Sequence, residues 1–261
     1  MMPAKPTITE NRMPAKSNPM APLSTSSSPD KITHAIDRLD WTTIATQLDR
    51  EGYTLLPGLL SVEQTDSLAR QTADMELHRE IVTGGSGHGE RFFLPEPLAS
   101  PLDVIQTHFY THLVHIANRW NEVLQTPYRH PTDLAQFLDF NRDCGQARTL
   151  SHLNRLGEAD NLTLQQYTDG KQIFPLQIIA LLSEPGSDFE GGELVMTEQR
   201  PRMQSRPMVL PLRQGDAAII ATAQRPFKGS KGYYRVQTRH AVSRVRRGER
   251  IGLELFFHNA P

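Results

Sequence analysis

Val236-Gln237-Thr238-Arg239-His240-Ala241-Val242-Ser243-Arg244-Val245, a turn at Arg247-Gly248, and Arg250-Ile251-Gly252-Leu253-Glu254-Leu255-Phe256-Phe257 make up the stretch that decides the fold. Alternation along the first segment puts Val236, Thr238, His240 and Val242 on one face and Arg235, Gln237, Arg239 and Ser243 on the other, the period of a strand. In the second segment Ile251, Leu253, Leu255 and Phe257 oppose Arg250, Gly252 and Glu254. Simple patterning sends Arg250 to solvent. If the apolar side instead lies beneath helices and the polar side lines a cavity, His240 and Arg250 face one interior.

Upstream, short runs alternate with turn signals at Thr163 to Tyr167, Phe174 to Leu182, Glu193 to Thr197 and Ala217 to Thr222, the spacing of a β-sandwich or barrel. Before them the periodicity is helical. Leu39 to Leu48 reads as a helix, Tyr53 to Gly58 as a short strand and turn, and Ser61, with Glu63 and Gln64, as the start of a helix to about Met75. Ser100 to Leu124 is the longest helix, with Trp120 on its apolar stripe, and a shorter one runs from Thr132 to Asn141. Gly84 to Gly89 is rich in glycine, but no strand leads into it and no Gly-Lys-Ser/Thr closes it, so it reads as a flexible loop rather than a phosphate cradle.

Residues 1–35 read as a disordered tail rich in Pro, Ser, Thr, Ala and Met, leaving 36–261 as one domain: helical support over 36–146 and a barrel over 147–261. The Met-Pro-Ala-Lys repeated at Met2 and Met13 fits a targeting peptide or an over-extended start, and disorder with no role of its own is the simpler reading. Lys plus Arg (28) nearly balances Asp plus Glu (29), which gives no reason to expect nucleic acid or a membrane as partner. A single cysteine, Cys144, forms no internal disulfide, and the expected compartment is the reducing cytoplasm.

Four blocks occur in order: Phe189-Glu190-Gly191-Gly192-Glu193-Leu194, Leu212-Arg213-Gln214-Gly215-Asp216-Ala217, Arg239-His240-Ala241-Val242-Ser243 and Gly248-Glu249-Arg250. With Phe174-Pro175-Leu176-Gln177 and Phe257-His258-Asn259-Ala260, the chain from Leu39 to Pro261 resembles the 2-oxoglutarate/iron(II)-dependent oxygenases of the prolyl-hydroxylase-like kind. That resemblance implies a mainly β fold with N-terminal helices: a double-stranded β-helix, jelly-roll or cupin-like, with helices on its major sheet. It also implies Fe(II) held by two histidines and a carboxylate, with 2-oxoglutarate as cosubstrate clamped by an arginine. His240 then takes the place of the distal metal ligand and Arg250, ten residues on, the clamp.

The other two ligands belong to a His-x-Asp motif. Counted back without a gap from Phe174, that slot falls on Gln165-Gln166-Tyr167, and Gly170 falls on a turn. Glutamine is a weak neutral ligand and an ordinary tyrosine keeps its proton near neutrality, so Gln165 and Tyr167 replace both donors poorly. Asp169, His152 and Asp160 are the nearby candidates for a rebuilt site. Two functions therefore compete: a hydroxylase acting on a protein side chain or small molecule, and a pseudo-oxygenase that binds a ligand or protein without turnover. Arg200, Arg202 and Arg206, with Arg244, Arg246 and Arg247, read as solvated loop charges, and the loop Arg225 to Tyr234 as a substrate contact at the barrel mouth.

Overall fold

Helix boundaries follow from side chains that satisfy the backbone groups a helix end leaves unpaired. The computed structural model describes residues 29–74, 78–81 and 89–261, which include five helices: α1 (Pro29–Asp37), α2 (Trp41–Glu51), α3 (Val62–Asp74), α4 (Leu102–Val123) and α5 (Leu134–Asp143). Asp40 caps α2 by accepting from the Thr43 amide at 3.0 Å, and Asp133 caps α5 by accepting from the Gln136 amide at 2.8 Å. At the start of α3, Gln64 Oε1 accepts from the Ser61 amide at 2.8 Å while Ser61 Oγ accepts from the Gln64 amide at 3.3 Å, the reciprocal box expected there. Residues 29–35, expected in the tail, begin α1 instead; Ile32 and Ile36 are buried, and this apolar spacing ties the segment to the core. Residues 1–28 and most of the glycine-rich stretch, 82–88, lie outside the described residues.

The strands are β1 (Tyr53–Leu56), β2 (His78–Ile81), β3 (Glu90–Phe93), β4 (His152–Leu156), β5 (Leu162–Gln165), β6 (Leu176–Leu181), β7 (Phe189–Gly191), β8 (Leu194–Gln199), β9 (Arg206–Leu210), β10 (Ala217–Ala221), β11 (Gln224–Gly229), β12 (Gly232–Val242), β13 (Val245–Gly248) and β14 (Arg250–Leu255). Seven form the major sheet in the order β1-β10-β6-β14-β4-β3-β2, and five the minor one, β11-β12-β8-β9 with β5 also on β12. All pairings within these sheets are antiparallel, and β7 and β13 make a separate pair. The expected strand from Val236 to Val245 ends earlier, at Val242, because the Ser243 amide turns to donate to Glu193 O at 2.9 Å before β13 begins.

The major sheet is covered on both faces, which explains why β6 reads as an unbroken buried run. Ile178 and Ala180 join Leu253, Leu255 and Phe257 in a core shared with Phe109, Tyr110, Leu113 and Trp120 of α4. Ile179 and Leu181 point the other way, into the barrel with Leu156, Leu162, Met196 and Val242. Truncating a fully buried member such as Leu255 to alanine should cost about 2–5 kcal/mol. The loop after β5 is fixed by Gln146, whose Oε1 accepts from the Lys171 and Gln172 amides at 2.8 and 2.7 Å and whose Nε2 donates to Asn259 O at 2.6 Å. Gly170 turns there at φ 129°, where a Cβ would strike the Gln146 amide at 2.5 Å. Among the described residues no helix is long and apolar enough to cross a membrane.

Candidate functional site

Strand pairing places the site residues before any side-chain contact is considered. His240 on β12 is the direct cross-strand partner of Gln165 on β5, so the ungapped count puts Gln165 beside the histidine as expected. On β14 the residues Arg250, Gly252 and Glu254 are all buried on the barrel side, while Leu253 and Leu255 meet the helices. The polar face of that strand is an interior wall, which resolves the conflict in the sequence pattern.

Gln165 is occupied at both ends. Its Oε1 accepts from the Arg91 guanidinium, and its Nε2 stands 3.4 Å from His240 Nε2. Tyr167 lays its ring over His240, centroids 6.1 Å apart and 24° from parallel, with Phe256 edge-on at 4.5 Å. Tyr167 as a whole is half-buried, but its hydroxyl is buried without a hydrogen-bond partner, and burial pushes its pKa well above the ordinary phenol range. The phenolate that a metal would need is therefore strongly disfavoured. Asp160 caps a turn by accepting from the Gly157 amide at 2.9 Å, and Asp169 is exposed. Neither of these carboxylates stands in for the missing one.

The structure brings forward a carboxylate that the ligand count passed over. Glu254 is 1% exposed and stands between two histidines of similar burial: Oε2 lies 3.2 Å from His240 Nε2, and Oε1 lies 3.7 Å from His152 Nε2. Gln177 Nε2 donates to Oε2 at 3.2 Å. Glu254 and His152 are direct cross-strand partners on β14 and β4, and His240 reaches them from the opposite sheet. The signal was present in the sequence, since a glutamate on the same strand face as Arg250 must share its interior. His152 Nδ1 lies 2.7 Å from Leu150 O, which fixes the proton on Nδ1 and leaves a lone pair on Nε2. Burial lowers the His152 pKa, whereas Glu254, which burial alone would raise, is brought down to about 2 by His240 and His152. Burial and the Nδ1–H tautomer favour the neutral His152 ring, and Glu254 is the charged member of the pair.

Arg250 is 1% exposed, donates Nε to Gly192 O at 2.9 Å and Nη1 to Asn154 Oδ1 at 3.0 Å, and lines a cavity of about 350 Å³ with Arg246, Phe189 and Leu212. Burial lowers its pKa to about 10, against the favourable charge of Glu254, and it stays cationic near neutrality. His240, Gln165 and Tyr167 are absent from that cavity's wall. A second cavity of about 290 Å³ is lined by Arg91, Arg148, Gln165, Gln166, Tyr167 and Asp169. The two halves of the expected site thus meet different spaces, with Leu156, Leu162, Ile179 and Met196 filling the barrel interior.

The donor set at the expected iron position does not fit the metal. An amide already bonded to Arg91 and a protonated buried phenol leave His240 alone there, and among the described residues no three His, Cys, Asp or Glu side chains stand as a ready metal-binding group. The hairpin Arg225 to Tyr234 is anchored at its first residue. Arg225 is fully buried, donating to Asp49 O, Arg50 O and Glu198, while Arg200 stacks on Phe227 with its guanidinium 3.8 Å from the ring centroid. The base of the hairpin is anchored to the fold, with Gln224 and Arg235 beside Trp120 of α4, while Lys228, Lys231 and Tyr233 at its tip are exposed.

Comparison with known proteins agrees with this architecture. A family model described as an oxygenase catalysing oxidative methylation of damaged DNA, Oxygenase-NA, matches residues 89–260. Two uncharacterised proteins of Mycobacterium tuberculosis, MT2286 and Rv2227, are 35% identical over 166 residues, 64% of this chain and 71% of theirs. Among solved structures, a Pseudomonas putida prolyl-4-hydroxylase superposes with a TM-score of 0.53 at 15% identity, covering 84% of this chain and 99% of that one. A 2OG-Fe(II) oxygenase family oxidoreductase from Burkholderia pseudomallei gives 0.50 at 18%, covering 85% and 94%. These two likenesses carry the double-stranded β-helix fold alone. The match over most of the barrel makes the chain a member of the Oxygenase-NA family, on a fold like that of these prolyl-hydroxylase and 2OG-Fe(II) oxygenase structures.

Proposed function

We propose that this chain is a ligand-binding member of its family that does not turn over 2-oxoglutarate at the family's iron position. The observation that carries this reading is the occupancy of that position: Gln165 is committed to Arg91, and the Tyr167 hydroxyl is held protonated by burial. The retained element is Arg250, whose cavity of about 350 Å³ is of the size that takes a small ligand and presents a second guanidinium, Arg246. The ligand is a small carboxylate of the 2-oxoglutarate kind, held by charge-assisted hydrogen bonds.

The family description names damaged DNA as what its oxygenases act on, and a phosphate backbone would have to meet the basic loops. On this chain Arg200 pairs with Glu198 at 3.0 Å, Arg206 with Glu51 at 3.2 Å and Arg247 with Glu190 at 2.9 Å. Charges neutralised in pairs give a weak field for a polyanion, which favours a small carboxylate over nucleic acid.

The test is a thermal shift and a product assay on the same preparation. 2-Oxoglutarate should raise the melting temperature of the native chain, by an amount that grows with its concentration, and Arg250→Lys should lose most of that rise because the ammonium lacks the planar fork. With Fe(II) in air, succinate should stay at the level of the protein-free control. A native chain that shows no shift, or one that accumulates succinate, overturns the reading.

A further inference from the structure

Glu80 and Arg91 face each other as direct cross-strand partners on β2 and β3, the arrangement in which opposite charges ordinarily pair. This pair does not form. Arg79 takes Glu90 instead, and the Arg91 guanidinium turns to Gln165, spending Nη2 there while its Nε is buried without an acceptor. Glu80 and Arg91 both line the cavity of about 290 Å³ beside Gln165 and Tyr167, and so do Arg148 and Asp169. None of the four makes an ion pair among the described residues, and Arg148 has only a long bond from Nε to Pro261 O at 3.4 Å.

Unmet groups continue along the same wall, where Gln166 Oε1 and the Tyr167 hydroxyl are also buried without partners. Glu80, Arg148 and Asp169 are exposed, and water satisfies charges of that kind. A half-buried guanidinium beside two orphaned polar atoms is different, because native folds seldom leave such groups unmet on one wall unless a polar partner comes to them.

The signs of the four charges define that partner. Two guanidiniums attract an anion that the two carboxylates repel, and a simple cation meets the reverse. A molecule with one charge of each sign satisfies both pairs. Phe93, Leu150 and Ala260 complete the lining with apolar side chains, and the volume lies at the small end of the range ligand cavities occupy. We propose that this cavity binds a small apolar α-amino acid, with its carboxylate on Arg91 and Arg148, its ammonium on Glu80 and Asp169, and its side chain against Phe93 and Leu150. Gln165 acquires a part in such a site: its Oε1 holds the Arg91 guanidinium in place, a bond that a histidine committed to iron could not accept. The cavity shares no wall residue with the one at Arg250, and the proposal stands whether or not a carboxylate binds there.

The experiment is calorimetric titration of the full chain, with melting temperature as a second readout, using L-alanine, L-valine and L-leucine to about 10 mM, where even a millimolar complex approaches saturation. At least one of them should bind at one site per chain. Its decarboxylated amine and its deaminated acid, isobutylamine and 3-methylbutanoate in the case of valine, should each bind at least tenfold more weakly. Arg91→Gln should weaken binding about tenfold or more and Asp169→Asn about threefold or more, while Arg250→Lys leaves it within about twofold. Asp169 is exposed and outside every ion pair, so Asp169→Asn keeps the test decisive should Arg91→Gln fail to fold. A native chain that gives neither heat nor a melting shift with any of the three amino acids overturns the proposal. So does an amine or acid that binds as tightly as its amino acid, which would make the cavity a simple ion site. Binding unchanged in Asp169→Asn and in folded Arg91→Gln overturns it too, and its loss in Arg250→Lys would then place the amino acid in the other cavity.

Discussion

Two buried carboxylates lie in the same barrel, and their surroundings differ in one respect. Glu198 on β8 accepts from Arg225 through Oε2 and from Arg200 through Oε1 at 3.0 Å, and Arg225 spends further donors on Asp49 O and Arg50 O at 2.7 and 3.1 Å. Glu254 on β14 is equally buried, yet the nitrogens nearest it are those of His240 and the Gln177 amide, each at 3.2 Å, and of His152 at 3.7 Å, and none belongs to a guanidinium. The first carboxylate faces a permanent cation with five fixed donors, and the second faces groups that can be neutral. A guanidinium–carboxylate pair holds the hairpin of β11 and β12 to α2, with only Arg225 Nε left without a hydrogen-bond partner. The Glu254 cluster ties β14 to β4, β6 and β12 through imidazole and amide contacts instead.

The largest effect should come from breaking the guanidinium–carboxylate pair. Glu198→Ala leaves the Arg225 guanidinium at 0% exposure without its counter-charge, and chemical denaturation should show a loss of about 3–5 kcal/mol. A loss below about 1 kcal/mol would mean that Arg225 finds water or another acceptor, and the contrast with Glu254 would fail.

The sequence made one half of this contrast legible. Strand alternation on β14 put Arg250, Gly252 and Glu254 on one face, and the block order identified the fold, because a period of two and ordered turn motifs survive substitution of individual ligands. Register was readable as well: Gly170 demands a turn, Gln146 secures it, and the count back to Gln165 then holds. What could not be read was convergence between sheets. His152 and Glu254 lie far apart in sequence and meet only because β4 pairs with β14, and a lone histidine and glutamate on separate strands carry no spacing signal. The separation of the His240 and Arg250 spaces was equally hidden, since it depends on how Leu156, Leu162 and Met196 fill the interior. Arg225, read as part of a mouth loop, is buried because its hairpin lies against α2, a contact that composition cannot report.

A third kind of buried ionisable group sharpens the comparison. His258 has neither ring nitrogen hydrogen-bonded, and His130 lacks a partner at Nδ1; burial lowers their pKa values to about 3 and about 4. Both fold as neutral rings, so the unfolded chain binds their protons first. The sign follows: stability is full above the unfolded imidazole value near 6.5 and falls as pH drops through that value toward 4 and 3. Denaturation midpoints at pH 7.0 and 4.5 should differ by a few kcal/mol in the native chain, and His258→Phe should shrink the difference if the ring space accepts the benzyl group. An unchanged pH dependence in that folded variant would assign acid sensitivity to the Glu254 cluster instead.

The smallest expected change in stability tests the other side of the contrast. Glu254→Gln removes a buried negative charge that no guanidinium hydrogen-bonds, keeps the side chain's shape, and offers an amide N–H to His152 Nε2. Removing an unsaturated charge without leaving a partner stranded is often neutral or stabilising. The variant should therefore match the native chain to within about 1 kcal/mol, whereas Glu198→Gln, which strands Arg225, should not. A Glu254→Gln loss of about 3 kcal/mol or more would show that His152 or His240 is already a permanent imidazolium, and the two carboxylates would then be alike.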